Sequence, residues 1–408
     1  MALYPDKCDQ SGTYTFGFLV LLFLALFRPF TISFHHLGSV SLLDLFGIAS
    51  SYLMLIGLAF YLRNLPFNRM SLLLLFFVGY CLLSLAWGSC WRDVARTILP
   101  LLPFFLVQSV IRTPRQMNVL IICLALGYII PIFGSSLLIT LGISSYEITQ
   151  SGFERQEGLT AGVHTLAHTM MVFSYVYALF LVKVKSASRP LRWLLFGMLV
   201  LSVYCIWKTY TRTVFLGGLV FWLMFLWKKN KRWFWGLLVT ALVGGLLYSA
   251  NLQDLFWQKN IVGHRIHDLD TASSGRFFLW SHNIAVYSRL SIPLKLLGVG
   301  IGNEMKVVSE IGVRTASSHN DYLTMLMTTG LIGLLLILTI YISLLILVIK
   351  SSADRQLKYL FLGIIIAVML MNMVSNSYLI RFPLSQYFWL LIGMFFVMVR
   401  QQQPVKHG

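Results

Sequence analysis

A chain of 408 residues with 58% hydrophobic and only 11% charged side chains, at a mean hydropathy of +0.77, is too apolar for a soluble domain, in which charged residues make up about a quarter. The net charge of +18 suggests a nucleic-acid partner, but about half of the Lys and Arg residues sit in short connections between apolar runs, so no nucleic acid is expected. Five scattered cysteines (Cys8, Cys81, Cys90, Cys123, Cys205) suggest neither a disulfide framework nor a thiolate metal site.

From the N-terminus, Asp6, Lys7 and Asp9 precede an apolar run without a small-residue cleavage site, so a retained first helix is expected. Apolar runs near the ~20 residues that cross a bilayer then recur along the chain. They predict an all-α, polytopic membrane protein of about twelve spans at 15–35, 40–62, 70–89, 95–111, 117–141, 161–182, 191–208, 213–227, 233–249, 321–349, 357–376 and 384–399. No polar stretch is long enough to bury its own core, so residues 1–408 read as a single integral membrane domain.

Every second connection is short and basic: Arg63 to Arg69, Arg112 to Arg115, Lys183 to Arg192, Lys228 to Arg232 and Lys350 to Lys358. The positive-inside bias makes that face cytoplasmic, with both termini, and assigns 142–160, the turn Thr209 to Arg212 and the long loop 250–320 to the outside. The long loop carries Lys259, Arg265, Arg276, Arg289, Lys295, Lys306 and Arg314 against five acidic residues, a positive excess for which topology gives no reason. Its segment 281–301 is amphipathic in part, and the stretch IPLKLLGVGIG is too short to span, which suits short interfacial helices.

Four patterns on the outer side carry chemistry. In RQEGLTAGVHTLA, Arg155 to Ala167, the following residue His168 lies four after His164 and on the same helix face; without a third ligand nearby, hydrogen-bonded histidines facing a cavity fit better than a metal pair. Arg212, in Thr211-Arg212-Thr213, stands at a membrane edge, where it either snorkels or reaches into a polar cavity to hold an anion. In SSGRFFLW, Ser273 to Trp280, Arg276 offers a planar fork suited to two phosphate oxygens at once. SSHNDYLTMLMTTGLIG, Ser317 to Gly333, puts His319 where the long loop meets a span. Asn320 and Asp321 are good N-caps there, and a neutral His319 could accept a proton from a sugar hydroxyl. Gly330 and Gly333 would admit a close neighbouring helix.

Asp268-Leu269-Asp270 has the spacing of a cation-binding DxD, with His264 and His267 nearby, but an exposed polar turn is the plainer reading. There is no P-loop, Rossmann glycine pattern or G-x-S-x-G elbow, and neither a metal nor a cofactor is expected.

Together these motifs resemble the O-antigen ligase and polymerase superfamily of bacterial membrane glycosyltransferases. Arg212 and Leu216 satisfy the ligase pattern R-x3-L; His319, Asn320, Gly330 and Gly333 satisfy H-[NSQ]-x9-G-x2-[GTY]. Gly275, Arg276 and Trp280 resemble the family's second arginine site, and Gly298, Gly300 and Gly302 its glycine cluster. Arg155, Gly158, Leu166 and Ala167 fit a further pattern in which His164 replaces the usual asparagine.

The resemblance implies a GT-C-like protein of the bacterial inner membrane with a periplasmic active site. It implies an inverting, metal-independent transfer of a glycan from undecaprenyl diphosphate to a sugar hydroxyl of lipid A–core. His319 would be the base, with Arg212 and Arg276 on the diphosphate, Arg155 and Arg265 as further candidates, and Asn320 and His164 in the substrate site. A repeat-unit polymerase of the same superfamily is the alternative. A transporter or flippase of lipid-linked glycans is the rival from another class, disfavoured by the lack of deep charges in most spans and of an inverted repeat.

Overall fold

The computed structural model describes residues 15–402 apart from 34–35, 38–39, 62–63, 66, 149–153, 161, 248–275, 310–317 and 376. The helices are α1 Phe16–Ser33, α2 Leu42–Phe60, α3 Arg69–Leu83, α4 Trp91–Ile98, α5 Leu102–Val110, α6 Pro114–Gly127, α7 Ile129–Thr140, α8 Val163–Lys183, α9 Arg189–Thr209, α10 Arg212–Lys229, α11 Lys231–Leu247, α12 Arg276–Arg289, α13 Ile292–Leu297, α14 Glu304–Ser309, α15 Asp321–Lys350, α16 Arg355–Val374 and α17 Phe382–Gln402. Two antiparallel hairpins join them, β1 His36–Leu37 with β2 Val40–Ser41, and β3 Ser145–Ile148 with β4 Glu154–Gly158.

Each predicted span has a helical counterpart. Eight of the described helical runs are long and apolar enough to cross a bilayer: Arg69–Trp87, Trp91–Val110, Pro114–Thr140, Val163–Lys183, Arg189–Thr209, Asp321–Lys350, Arg355–Val374 and Phe382–Gln402. The protein is therefore a polytopic all-α membrane protein. Three of these runs are less regular than hydropathy predicts. Pro100 and Pro103 withhold backbone donors, and the Trp91–Val110 run passes through a 3-10 turn at Leu99–Leu101. Pro131 cannot donate to the Gly127 carbonyl, and the Pro114–Thr140 run resets at Tyr128.

The third irregularity lies in α15, which breaks at Gly330 (φ +66, ψ −171). The carbonyls this leaves without helical donors are met from outside. Val299 N–H donates to Met327 O at 2.9 Å, Gly300 N–H to Thr328 O at 3.0 Å, and the Tyr80 hydroxyl to Thr329 O at 2.6 Å. A Cβ on Gly330 would lie 2.3 Å from Leu296 O, and one on Gly298 2.3 Å from Thr328 O, so only glycine fits at either crossing. The neighbour that Gly330 admits is thus the backbone at the end of α13, Leu296 to Gly298, rather than a second spanning helix.

The amphipathic segment expected at 281–301 is divided. Arg276–Arg289 and Ile292–Leu297 are separate short helices, with Glu304–Ser309 following. The connection 142–160 contains the β3–β4 hairpin, in which Glu147 faces Arg155. The core runs along α8, whose Met170 to Phe180 stretch is buried on nearly all sides by α6, α9, α10, α16 and α17.

Candidate active site

His319 sits immediately before α15 with φ +49, a left-handed conformation that costs energy in a residue with a Cβ. Both flanks hold it there. Asn320 Oδ1 caps the helix by accepting Tyr322 N–H at 3.0 Å and Leu323 N–H at 3.1 Å. On the other side Ser318 O accepts Trp280 Nε1–H at 2.8 Å, Ser318 N–H donates to Glu304 Oε1 at 3.4 Å, and Ser318 Oγ pairs with Thr324 Oγ1 at 2.7 Å. The cap commits the Asn320 side-chain oxygen to the backbone and leaves its amide nitrogen for other partners.

The Trp280 bond gives the R-x3-W spacing a physical reason. Residues four apart share a helix face, so the contact that pins Trp280 to the backbone beside His319 also brings Arg276 toward the imidazole. No such reason is visible for R-x3-L: Leu216 is 54% exposed.

Four arginines gather around this point. Arg276 heads α12, Arg212 heads α10, Arg155 comes from β4 and Arg381 from the connection before α17. Arg155 braces the α9–α10 turn: its Nε–H donates to Thr209 O at 2.9 Å and Nη2–H to Thr211 Oγ1 at 3.2 Å, while Nη1 lies 3.6 Å from Glu147. Burial, then the charges of Arg212 and Arg155, pull the Arg276 pKa down to about 10. Burial also lowers Arg155 and Arg381, opposed by Glu147 and Asp321 respectively. Like charges held this close in a half-buried site favour binding an anion. His319 feels the same field. Burial, then Arg276 and Arg381, hold its pKa below the ordinary 6.5, so the ring is neutral at pH 7 and able to accept a proton.

The histidine pair separates into two roles. His164 lines a cavity of about 540 Å³ together with Arg381, Thr165, Arg96, Glu147 and Glu157. His168, one turn on, is fully buried, bonds Ser377 Oγ at 3.3 Å and meets the Tyr378 ring edge-on. Among the described residues no group of His, Cys, Asp and Glu has the arrangement of a metal site. Arg265, Gly275 and the Asp268-Leu269-Asp270 turn lie outside the described residues.

Arg381 was absent from the sequence expectation. Its Nη1–H donates to Thr165 Oγ1 at 3.2 Å. The buried Asp321 carboxylate accepts Ser377 N–H at 3.1 and 3.0 Å and Leu379 N–H at 3.1 Å, which ties the Arg381 connection to the start of α15. A signal existed: Arg381 is a basic residue in a connection that the charge bias assigns to the outside, the same departure that flagged the long loop. Glu304, whose carboxyl is raised by burial against hydrogen bonds from Thr324 and Ser318, is a second supporting residue not foreseen.

An all-α membrane protein with a cationic pocket and a neutral imidazole at one end of its bundle fits the class of membrane enzymes that act on anionic, lipid-linked substrates. Residues 197–338, roughly a third of the chain, match the family Wzy_C, described as O-antigen ligase, a match that supports a likeness to the O-antigen ligase and polymerase superfamily. The matched stretch contains Arg212, Arg276, His319, Gly330 and Gly333; Arg155, His164 and Arg381 lie outside it. No curated protein matches the chain.

Proposed function

We propose that this protein is an O-antigen ligase of the bacterial inner membrane, acting at the periplasmic face. The donor is a glycan carried on undecaprenyl diphosphate, and the acceptor is a sugar hydroxyl of lipid A–core. The acceptor oxygen attacks the anomeric carbon from the side opposite the diphosphate and inverts it. His319 takes the hydroxyl proton as the new glycosidic bond forms and the bond to the diphosphate oxygen breaks. Charge grows on that leaving oxygen, and guanidinium groups fixed in advance stabilise it without reorganisation. Arg276 and Arg212 hold the diphosphate, Arg155 positions Arg212 through the α9–α10 turn, and Arg381 and His164 face the substrate cavity. The reaction needs no metal, since the arginines supply the charge a cation would. Twelve spans with both termini cytoplasmic complete this reading.

The observation that carries it is the gathering of Arg155, Arg212 and Arg276 at one point, with Arg276 and Arg381 both acting on a half-buried, neutral His319 that the Asn320 cap and the Trp280 bond hold in place. The test is transfer by the purified protein in liposomes, without a gradient, with lipid-linked glycan as donor and both lipid A–core and a second lipid-linked glycan as acceptors. Product on lipid A–core supports the ligase. Product on the lipid-linked acceptor alone reassigns the chain as a polymerase, a reading kept alive because H-N-x-Y-L followed by G-L-I-G also occurs in polymerases. Absence of product with transbilayer movement of the donor replaces the enzyme with a transporter.

A further inference from the structure

Arg28 lies in the apolar helix α1, five residues before its end at Ser33, and is completely buried. Its guanidinium sits between two rings, with Cζ 5.5 Å from the Phe46 centroid and 5.5 Å from that of Phe382. Contact with two aromatic rings stabilises the cation. An ionised residue within an apolar membrane helix is expensive to keep there and points to a task.

Arg28 borders a cavity of about 490 Å³. Arg92 and Arg96, four apart on α4 and so on one face, also line it, and none of its described lining residues is acidic. The nearby Asp93 pairs with Arg96 at 3.7 Å. Exposed Ile48, Tyr52 and Trp91 rim the mouth, as expected of an opening toward lipid. Leu55 and Leu99 are shared with a second cavity of about 390 Å³, deeper along α2, in which Ser71 is the sole polar lining residue among those described. Arg96, Phe382 and Pro383 are shared with the cavity that holds His164 and Arg381. Three cations above a hydrocarbon-lined hollow, open sideways to the membrane, match an amphiphile with an anionic head. The apolar hollow favours a lipid over a free anion.

We propose that this cavity binds an anionic phospholipid, its phosphate held by Arg28, Arg92 and Arg96 and its acyl chain in the apolar hollow below. The site adjoins the cavity of His164 and Arg381 through Arg96, includes neither Arg212 nor Arg276, and stands whether or not the chain is a ligase.

The full-length protein, purified in detergent and delipidated, is titrated with phosphatidylglycerol, phosphatidylcholine and inorganic phosphate and followed by native mass spectrometry. A buried arginine can be needed for folding, so the exposed-rim pair R92Q/R96Q is the main variant and R28Q the second, with R112Q/R115Q as a charge-matched control at the opposite bundle end. Phosphatidylglycerol is expected to bind ~10-fold tighter than phosphatidylcholine in the wild type, falling to within ~2-fold in R92Q/R96Q and unchanged in the control. Equal binding of the two lipids, an R92Q/R96Q protein that keeps its preference, or the same loss in R112Q/R115Q overturns the proposal. Displacement of the lipid by an equal concentration of inorganic phosphate overturns it too, in favour of a free-anion site.

Discussion

The two ends of the bundle are both basic, yet their cations do different work. At the end where α8 and α17 terminate, Arg112, Arg115, Arg189, Arg192, Lys350 and Arg400 are exposed. Where hydrogen-bonded, they serve helix ends and turns. Arg400 Nη2–H donates to Gln108 O and Ile111 O, each at 3.2 Å; Lys358 Nζ donates to Ile349 O at 3.1 Å; and Arg192 donates to Lys185 O. Cations meeting the carbonyls of helix C-termini need nothing further to be stable. At the opposite end, Arg155, Arg212, Arg276 and Arg381 are partly buried and act on one another or on the histidines. The same residue type thus serves helix ends and turns at one end of the bundle and forms a half-buried, mutually charged cluster at the other. What separates them is whether the charge faces solvent and carbonyls or faces other charges.

If that contrast is sound, substitutions at the two ends should separate cleanly. The largest effect is expected for His319→Ala, which removes the proton acceptor and should cut kcat by ~10²–10⁴-fold in the liposome assay, with the thermal transition nearly unchanged. A smaller loss would show that the imidazole is not the base. Arg276→Ala should follow, with a loss of ~10²–10³-fold, and Arg276→Lys should restore only part of it because an ammonium lacks the planar fork. Equal activity of the lysine and arginine forms would reduce Arg276 to a bare charge.

Arg381→Gln should lower kcat/KM by ~10-fold, and it also sharpens the comparison through pH. Burial, then positive neighbours, hold the His319 pKa below 6.5, so the wild-type acid limb should lie below the usual histidine range, where the ring finally protonates and activity falls. Removing the Arg381 charge should let that limb move upward toward 6.5. A limb that stays in place, or moves down, would mean that another group controls it. The smallest effect is expected at the far end: Arg400→Gln should cost about 1 kcal/mol of stability from its two carbonyl bonds while changing kcat/KM less than ~2-fold. A catalytic defect there would break the distinction between the ends.

Much of this was legible from local pattern. Each apolar run became helical, because a segment with no water around it must satisfy its backbone internally and a helix does so residue by residue. The start of α15 was legible for the same reason, since an Asn320 cap acts within three residues. The motif residues Arg212, Arg276 and His319 carried recognisable spacings, but Arg381 did not, and neither did the separation of His164 from His168. The i, i+4 rule puts those two histidines on one face; only the packing of Ser377 and Tyr378 against the second makes it structural.

The order of spans, their breaks at proline and the caps of their helices therefore follow from the chain's own neighbours, through hydropathy, missing donors and short-range hydrogen bonds. Tertiary packing alone brought β4, α10, α12 and the α16–α17 connection together at His319, made Gly298 and Gly330 mutually necessary, and set Arg28 between Phe46 and Phe382. Those outcomes depend on Coulomb and van der Waals terms that fall with distance in space, and residues 155, 212, 276, 319 and 381 are far apart in the only distance a sequence records.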